Sequence, residues 1–226
     1  MNIVLHVGLH KTGTTFLQKR VFSNMDVNLI VHPKDFLLNL DEDKINLISE
    51  EKFSGRPHCI HEKNIRYAYA DSLYHMFPDA KIIVGFRDTA SWMNSLWKQY
   101  IWRGGCKTKD QFLKSFDYSY LDFNSYVDYL KKRFKDVHVY YFEELLKNPD
   151  NVIKEISEFI GVEIHDYKVE RDNVSFDDKC TKTLRILNKI VWTDEHFGII
   201  PLSIWRMFLE LVRFRKGAYV LQDVKK

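Results

Sequence analysis

The chain has 226 residues, 45% of them hydrophobic and 29% charged, with a formal net charge of +3. That composition excludes a disordered polymer and a nucleic-acid coat, which would need a strongly basic face, and the length suits one α/β domain with a helical appendage. Three widely spaced cysteines, Cys59, Cys106 and Cys180, make neither a disulfide framework nor a CxxC metal site, so a reducing compartment is expected.

The first element is the apolar run Ile3-Val4-Leu5, which reads as a buried strand. No basic stretch leading into an apolar segment precedes it, and no window reaches about 18 uninterrupted apolar residues. The expectation is a cytoplasmic protein without a membrane span, or the catalytic part of something longer. Behind the strand, Val7-Gly8-Leu9-His10-Lys11-Thr12-Gly13-Thr14-Thr15 reads as a tight glycine turn and then a helix from Thr14 to about Ser23. A helix start presents unpaired N–H groups and the positive end of its dipole, so it attracts phosphate-like anions. Lys11 adds a point charge, and the threonine hydroxyls add short donors. The order differs from the ATP-binding P-loop, in which the lysine follows the second glycine. Here Lys11 precedes Gly13, and Thr14 stands where that lysine belongs.

Further along, Asn28-Leu29-Ile30-Val31 reads as a short strand, and residues 33–57 as short helices and loops. His58-Cys59-Ile60-His61 reads as a brief strand, followed by a helix from about Ile65 to Phe77 that Pro78-Asp79 closes. Lys81 to Phe86 is the clearest buried strand and runs straight into Arg87. A tryptophan-rich helix from Ser91 to Trp102 stops at Gly104-Gly105. Tyr120 to Phe134 reads as a helix, Val137 to Phe142 as a strand, and Asn151 to Ile160 as a helix ending at Gly161. Helices over Cys180 to Val191 and Pro201 to Phe214 follow. Strands alternating with helices predict an α/β fold: a parallel sheet covered by helices on both faces, with a mainly helical part from about 177 belonging to the same domain, 1–226.

Arg87 sits where an apolar strand ends, the place where α/β sheets put ligand contacts. Ser95 lies eight positions on (87 to 95) in the next helix. An arginine fork and a serine hydroxyl can grip one phosphate from two sides, although Arg87 can equally pair with Asp88. Trp92 and Trp97 read as core, whereas Tyr100 and Trp102 near the glycine pair could border an acceptor cleft. Lys98 and Arg103 read as solvated positives.

The order K-T-G-T-T at 11–15 resembles the 5′-phosphosulfate loop of sulfotransferases, which use 3′-phosphoadenosine 5′-phosphosulfate (PAPS) as sulfuryl donor. The stretch F-R-D-T-A-S-W-M-N-S, from Phe86 to Ser95, resembles their 3′-phosphate motif. Tyr141 to Pro149 with Ile156 to Val162 is similar to the family's Y-E-D-L…P…F-L-G segment, and Asp172-Asn173-Val174-Ser175 to the N-x-S turn of bacterial carbohydrate-type members. The likeness covers about residues 2 to 192. Arg215-Lys216-Gly217 resembles an R-K-G phosphate clamp but lacks its G-D-W-K continuation, and is read as a basic tail.

The resemblance implies the P-loop-like sulfotransferase fold and metal-free, in-line attack of an acceptor hydroxyl or amine on sulfur, with adenosine 3′,5′-bisphosphate leaving. It implies that Lys11 neutralises the bridging oxygen. Thr12, Gly13, Thr14 and Thr15 would hold the 5′-phosphate, and Arg87 and Ser95 the 3′-phosphate. For the general base, Glu62 is taken first, His61 second and His10 third, with Glu50 or Glu51 as the alternative family glutamate. The acceptor implied is a saccharide or glycolipid hydroxyl; a phenol, an alcohol or a protein tyrosine stays open, and no oligomeric state is read. Two other readings are weighed. A P-loop nucleotide or small-molecule kinase would need a lysine after Gly13 and a Mg²⁺-binding carboxylate. A non-catalytic nucleotide-binding member would not need Lys11, Thr14, Thr15, Arg87 and Ser95 all intact.

Overall fold

The apolar runs assemble into five parallel strands in a computed structural model that describes residues 1–31, 39–164, 167, 177–192, 199–201, 203–205 and 207. The strands are β1 (Asn2–His6), β2 (Asn28–Val31), β3 (Ile45–Ser49), β4 (Lys81–Phe86) and β5 (Val137–Tyr141), in the order β2-β3-β1-β4-β5. Neighbours pair in parallel throughout, with Leu5 beside both Ile48 and Ile82, and His6 beside Ser49 and Ile83. Such strands bury both faces, which is why they read as continuous apolar runs rather than alternating ones.

Helices cover both faces, as the alternation predicts. On one, Val4, Leu47, Ile83 and Tyr140 pack against Leu17, Val21 and Phe22 of the first helical segment. The same cluster takes in Val152, Ile153, Ile156 and Ile160 of α7 (Pro149–Ile160). That helix carries its apolar residues at i, i+1, i+4 and i+8, starts with Pro at its first turn and ends on Gly161 at φ 91°. On the other face, Phe86 stacks on Phe123 at 4.7 Å, and Trp92 meets Phe116 and Phe123 edge-on. Truncating a fully buried aliphatic such as Leu5 or Ile82 is expected to cost about 2 to 5 kcal/mol.

Several boundaries differ from the sequence reading, among them the helix expected over Cys180 to Val191, which ends at Leu187 and gives way to a 3-10 turn (Asn188–Ile190) before Val191 enters a short strand. The helix after the glycine turn is α1 (Thr14–Phe16), which passes into a π-helical stretch (Leu17–Val21) and a 3-10 turn (Phe22–Asn24). Strand β3 falls within the segment read as short helices and loops. Its polar second residue, Asn46, disguises it, but the amide is satisfied locally: it donates to Asp41 O at 2.7 Å and accepts from Asn28 Nδ2 at 2.8 Å. The strand expected at 58–61 is absent. Consecutive turns replace it, closed by Cys59 N–H to Arg56 O and Glu62 N–H to Cys59 O at 2.9 Å, with Pro57 presetting the first. The helix expected from Tyr120 to Phe134 is split into a 3-10 turn (Tyr118–Leu121) and α5 (Phe123–Lys131). Asp122 leaves the helical region and caps Ser125 N–H at 3.1 Å. By contrast, α2 (Arg66–Met76) and α3 (Thr89–Trp102) fall where expected.

The chain divides into two compact units, residues 1–96 with 115–174, and residues 97–114 with 175–226. In the first, fully buried Arg66 of α2 donates to the carbonyls of Tyr120, Ser119 and Asp122 and lies over the Tyr126 ring at 4.5 Å. In the second, α4 (Lys109–Ser115) and α8 (Asp178–Leu187) accompany a small parallel pair, β6 (Val191–Trp192) and β7 (Ile200–Pro201). Its centre is Asn188, whose amide donates to Ile101 O and Gly105 O at 2.7 Å and accepts from Trp205 Nε1 at 2.8 Å. Tyr100 is buried there against Gly105 and Phe112, so it is core rather than a cleft wall. Lys98, read as solvated, pairs with Asp178 at 2.8 Å. The turn expected at Asp172–Ser175, the Arg215-Lys216-Gly217 stretch and most of the helix expected to Phe214 lie outside the described residues. Among the described residues, no helix is long and apolar enough to cross a membrane.

Candidate active site

The carboxyl ends of β3, β1 and β4 lie side by side, and the chain reverses its direction of winding at β1, so the loops leaving these strands converge where α/β sheets bind ligands. The loop after β1 is the glycine turn. Lys11 adopts φ 68°, the one positive φ outside glycine among the described residues, and Gly13 follows at φ 91° as the helix cap. A left-handed lysine is held by its surroundings rather than by preference. At Gly13 a side chain would also meet Leu145 of α6 (Phe142–Lys147) at 2.8 Å. Leu17 N–H bonds Gly13 O at 3.0 Å, so the first helical hydrogen bond starts there and the preceding N–H groups point out of the helix start.

Of the loop's three hydroxyls, Thr12 is spent internally, donating to Leu9 O at 2.7 Å. Thr14 is 4% exposed, and among the described residues its Oγ1 has no hydrogen-bond partner. A buried, unsatisfied hydroxyl costs about 1 to 3 kcal/mol, which an anion on the loop would recover. Thr15 is half-buried one residue on.

Beneath the loop runs a chain of buried hydrogen bonds that the sequence reading missed. Gln18 Nε2 donates to Ser49 Oγ at 2.9 Å, and Ser49 Oγ lies 2.7 Å from His6 Nδ1. His6 Nε2 lies 3.2 Å from Tyr140 Oη, and Tyr140 donates to Thr12 O at 3.3 Å. Since Tyr140 gives its proton to a carbonyl, His6 Nε2 must donate and Nδ1 must accept from Ser49. Each proton is used once, Gln18 Nε2 giving its second to Ser49 O at 3.1 Å, and His6 is neutral. Burial drives its pKa from 6.5 to about 3, against the opposing pull of Glu51. Gly8 lets the loop settle on this network, because a Cβ there would lie 2.9 Å from His6 Nε2 and 3.0 Å from Thr14 Oγ1.

At the end of β4, Arg87 Nε donates to Ser91 Oγ at 2.9 Å and Nη1 to Lys11 O at 3.1 Å, while the guanidinium lies 4.4 Å above the Phe142 ring. The carboxylate of Asp88 caps Ser91 N–H at 2.9 Å. Ser91 is therefore the hydroxyl that Arg87 engages, and Ser95 is buried one turn further along α3. A spacing of four after a strand-end arginine was the available signal for Ser91.

After β3, Glu50 is buried and accepts from Lys52 N–H at 3.0 Å. Glu51 approaches His10 Nδ1 to 2.9 Å. His10 is 2% exposed, packs edge-on against buried His58 at 4.8 Å, and passes its backbone carbonyl to Trp92 Nε1 at 2.7 Å. Both of its ring nitrogens are buried without a hydrogen-bond partner among the described residues, so Glu51 meets the ring by proximity of charge rather than through an aligned hydrogen bond. Glu62 lies on a turn rather than after a strand and is ion-paired with Arg56, and His61 is exposed on the same turn. His10 and Glu51, distant in sequence, thus meet beside the loop. Among the described residues, no three His, Cys, Asp or Glu side chains converge in a way that could hold a metal ion.

An anion cradle beside a carboxylate–imidazole pair suits group transfer from a phosphate-bearing donor. Among solved structures, the sulfotransferase from Alicyclobacillus acidocaldarius is similar at 15% identity over 83% of this chain and 93% of that one, with a TM-score of 0.49. Mouse sulfotransferase SULT7A1, complexed with PAP, is similar at 19% identity over 73% of this chain, with a TM-score of 0.51. The chain spans 60% of the length of that mouse protein. No curated protein sequence matches. The architecture is the P-loop-like sulfotransferase fold. The sequence model of the sulfotransferase family matches residues 30–166, more than half of the chain, and the chain belongs to that family.

Proposed function

We propose that this protein transfers a sulfuryl group from PAPS to an acceptor hydroxyl, with a saccharide or glycolipid as the acceptor class. The observation that carries the reading is the loop after β1, where a left-handed Lys11, a left-handed Gly13 and a Thr14 hydroxyl with no hydrogen-bond partner among the described residues form one anion cradle. PAPS would supply an activated sulfuryl group and a bisphosphate leaving group. Lys11 neutralises charge developing on the leaving side. Thr14, Thr15 and the amides of the helix start hold the 5′-phosphate, and Arg87 with Ser95 serves the 3′-phosphate.

Of the four candidate positions for the base, the geometry favours His10 with Glu51. The Glu51 carboxylate lies 2.9 Å from Nδ1, and Nε2, on the far side of the ring, is the atom that would accept the acceptor's proton. Glu62 is engaged by Arg56, which supports a structural part for it. Calorimetric titration with adenosine 3′,5′-bisphosphate, run beside ATP with Mg²⁺, tests the reading. Metal-independent binding of the bisphosphate alone is expected. Preference for ATP with Mg²⁺ would turn the reading to a kinase, and binding of neither would leave a non-catalytic member.

A further inference from the structure

Arg87 touches the loop in a way that phosphate binding alone does not require. Its Nη1 donates to the carbonyl of Lys11, the one described non-glycine residue with a left-handed backbone. The guanidinium is fixed in that pose from two further sides. Ser91 Oγ accepts from Nε at 2.9 Å, and Phe142 lies flat beneath at 4.4 Å. Ser91 is itself tied down, its N–H by Asp88 Oδ1 at 2.9 Å and its hydroxyl by Asp88 O at 3.1 Å. Phe142 and Leu145, from the same helix, border Gly13. Tyr140, on β5, donates to the carbonyl of Thr12. Two consecutive carbonyls of the loop are thus held by side chains from β5 and from the end of β4.

A left-handed lysine peptide is strained and persists only where neighbours hold it. We infer that Arg87 is a positioning residue for Lys11 and, through that bond, couples the 3′-phosphate and 5′-phosphate halves of the donor site. The inference rests on the donor reading above. Nη2 takes no part in either of these two bonds, so the side chain can meet a phosphate while Nη1 keeps the Lys11 carbonyl. A phosphate on Arg87 adds to the hold on the guanidinium, the guanidinium holds the loop, and by linkage a filled loop strengthens binding at Arg87 by the same factor.

The test uses a ligand that lacks the 3′-phosphate. Adenosine 5′-phosphate and adenosine 3′,5′-bisphosphate are titrated into the full chain, wild type and Arg87→Met, with the thermal midpoint recorded for each. If Arg87 also sets the loop, Arg87→Met weakens adenosine 5′-phosphate by about tenfold and the bisphosphate by about a hundredfold. Arg87→Lys, which keeps the charge but not the fork, weakens adenosine 5′-phosphate as well, which separates positioning from simple attraction. Adenosine 5′-phosphate affinity unchanged in both variants, with only the bisphosphate weakened or only the midpoint lowered, overturns the inference. Should Arg87→Met fail to fold, Ser91→Ala loosens the fork instead and is expected to weaken adenosine 5′-phosphate by about threefold; no change there overturns the inference too. A wild-type protein that binds neither nucleotide removes the donor reading itself, an outcome seen before any substitution is made.

Discussion

The loop after β1 and the segment after β3 stand side by side, yet they are built on opposite plans. The loop, residues 7–15, is defined by backbone: two left-handed residues, two glycines without room for a side chain, and carbonyls pinned by Tyr140 and Arg87. The segment from Glu50 to Glu62 is defined by side chains on turns, with Glu51 meeting His10 and Glu62 meeting Arg56. Backbone sites recognise what every donor of one class shares, a phosphate. Side-chain sites on turns can be re-cut for different acceptors without touching the sheet. The contrast suits an enzyme with a constant donor and a variable acceptor.

The largest expected effect separates the two regions most sharply. Lys11→Ala should lower kcat for sulfuryl transfer about a thousandfold, the scale of removing a preorganised charge, with the thermal midpoint little changed. Near-wild-type turnover would remove the loop from donor chemistry. Next, within the turn segment, Glu51→Gln and His10→Asn should each lower kcat about a hundredfold, while Glu62→Gln stays within about threefold. The reverse ranking, read from steady-state rates at saturating donor, would return the base to Glu62.

The third effect concerns what lies beneath the loop. The folded pKa of His6, about 3, lies below its unfolded value of 6.5. Between these values the unfolded chain binds the extra proton, so stability rises with pH there and is lost as pH falls below about 6.5. From pH 6.5 to 5 the group should remove about 2 kcal/mol, measured by urea unfolding. His138, also depressed by burial, acts in the same direction, so the decisive comparison is with His6→Asn, in which the slope should flatten. The smallest effect is that of Tyr140→Phe. It leaves His6 Nε2 and Thr12 O unpaired and should cost about 1 to 2 kcal/mol in the same unfolding assay. An unchanged midpoint would mean that the hydrogen-bond chain ends at His6.

The same contrast explains what could be read in advance. Lys11, Gly13 and Thr14 lie within four positions of one another, so a local pattern carries them; so does Arg87 at the end of an apolar run. The sheet class was legible because β1 and β4 are unbroken apolar runs. β3 was not, because Asn46 interrupts its run and finds its partners across a turn and a neighbouring strand. The strand expected at 58–61 failed for a local reason, Pro57 favouring a turn over extension. The meeting of His10 with Glu51 and the path from Gln18 to Thr12 join residues carried by different strands and by the loops and helix that follow them. No spacing announces them, since only the sheet order brings β3 beside β1.

The direction of that hydrogen-bond path has a practical consequence. With His6 neutral and its proton held on Nε2, an imidazole N–H is sealed from water directly under the anion cradle. Such a proton exchanges slowly and resonates in an uncrowded part of the spectrum. The protein thus carries an internal probe of its own occupancy: one resonance on β1, one bond away from the tyrosine that grips the loop, able to register a ligand overhead without any label.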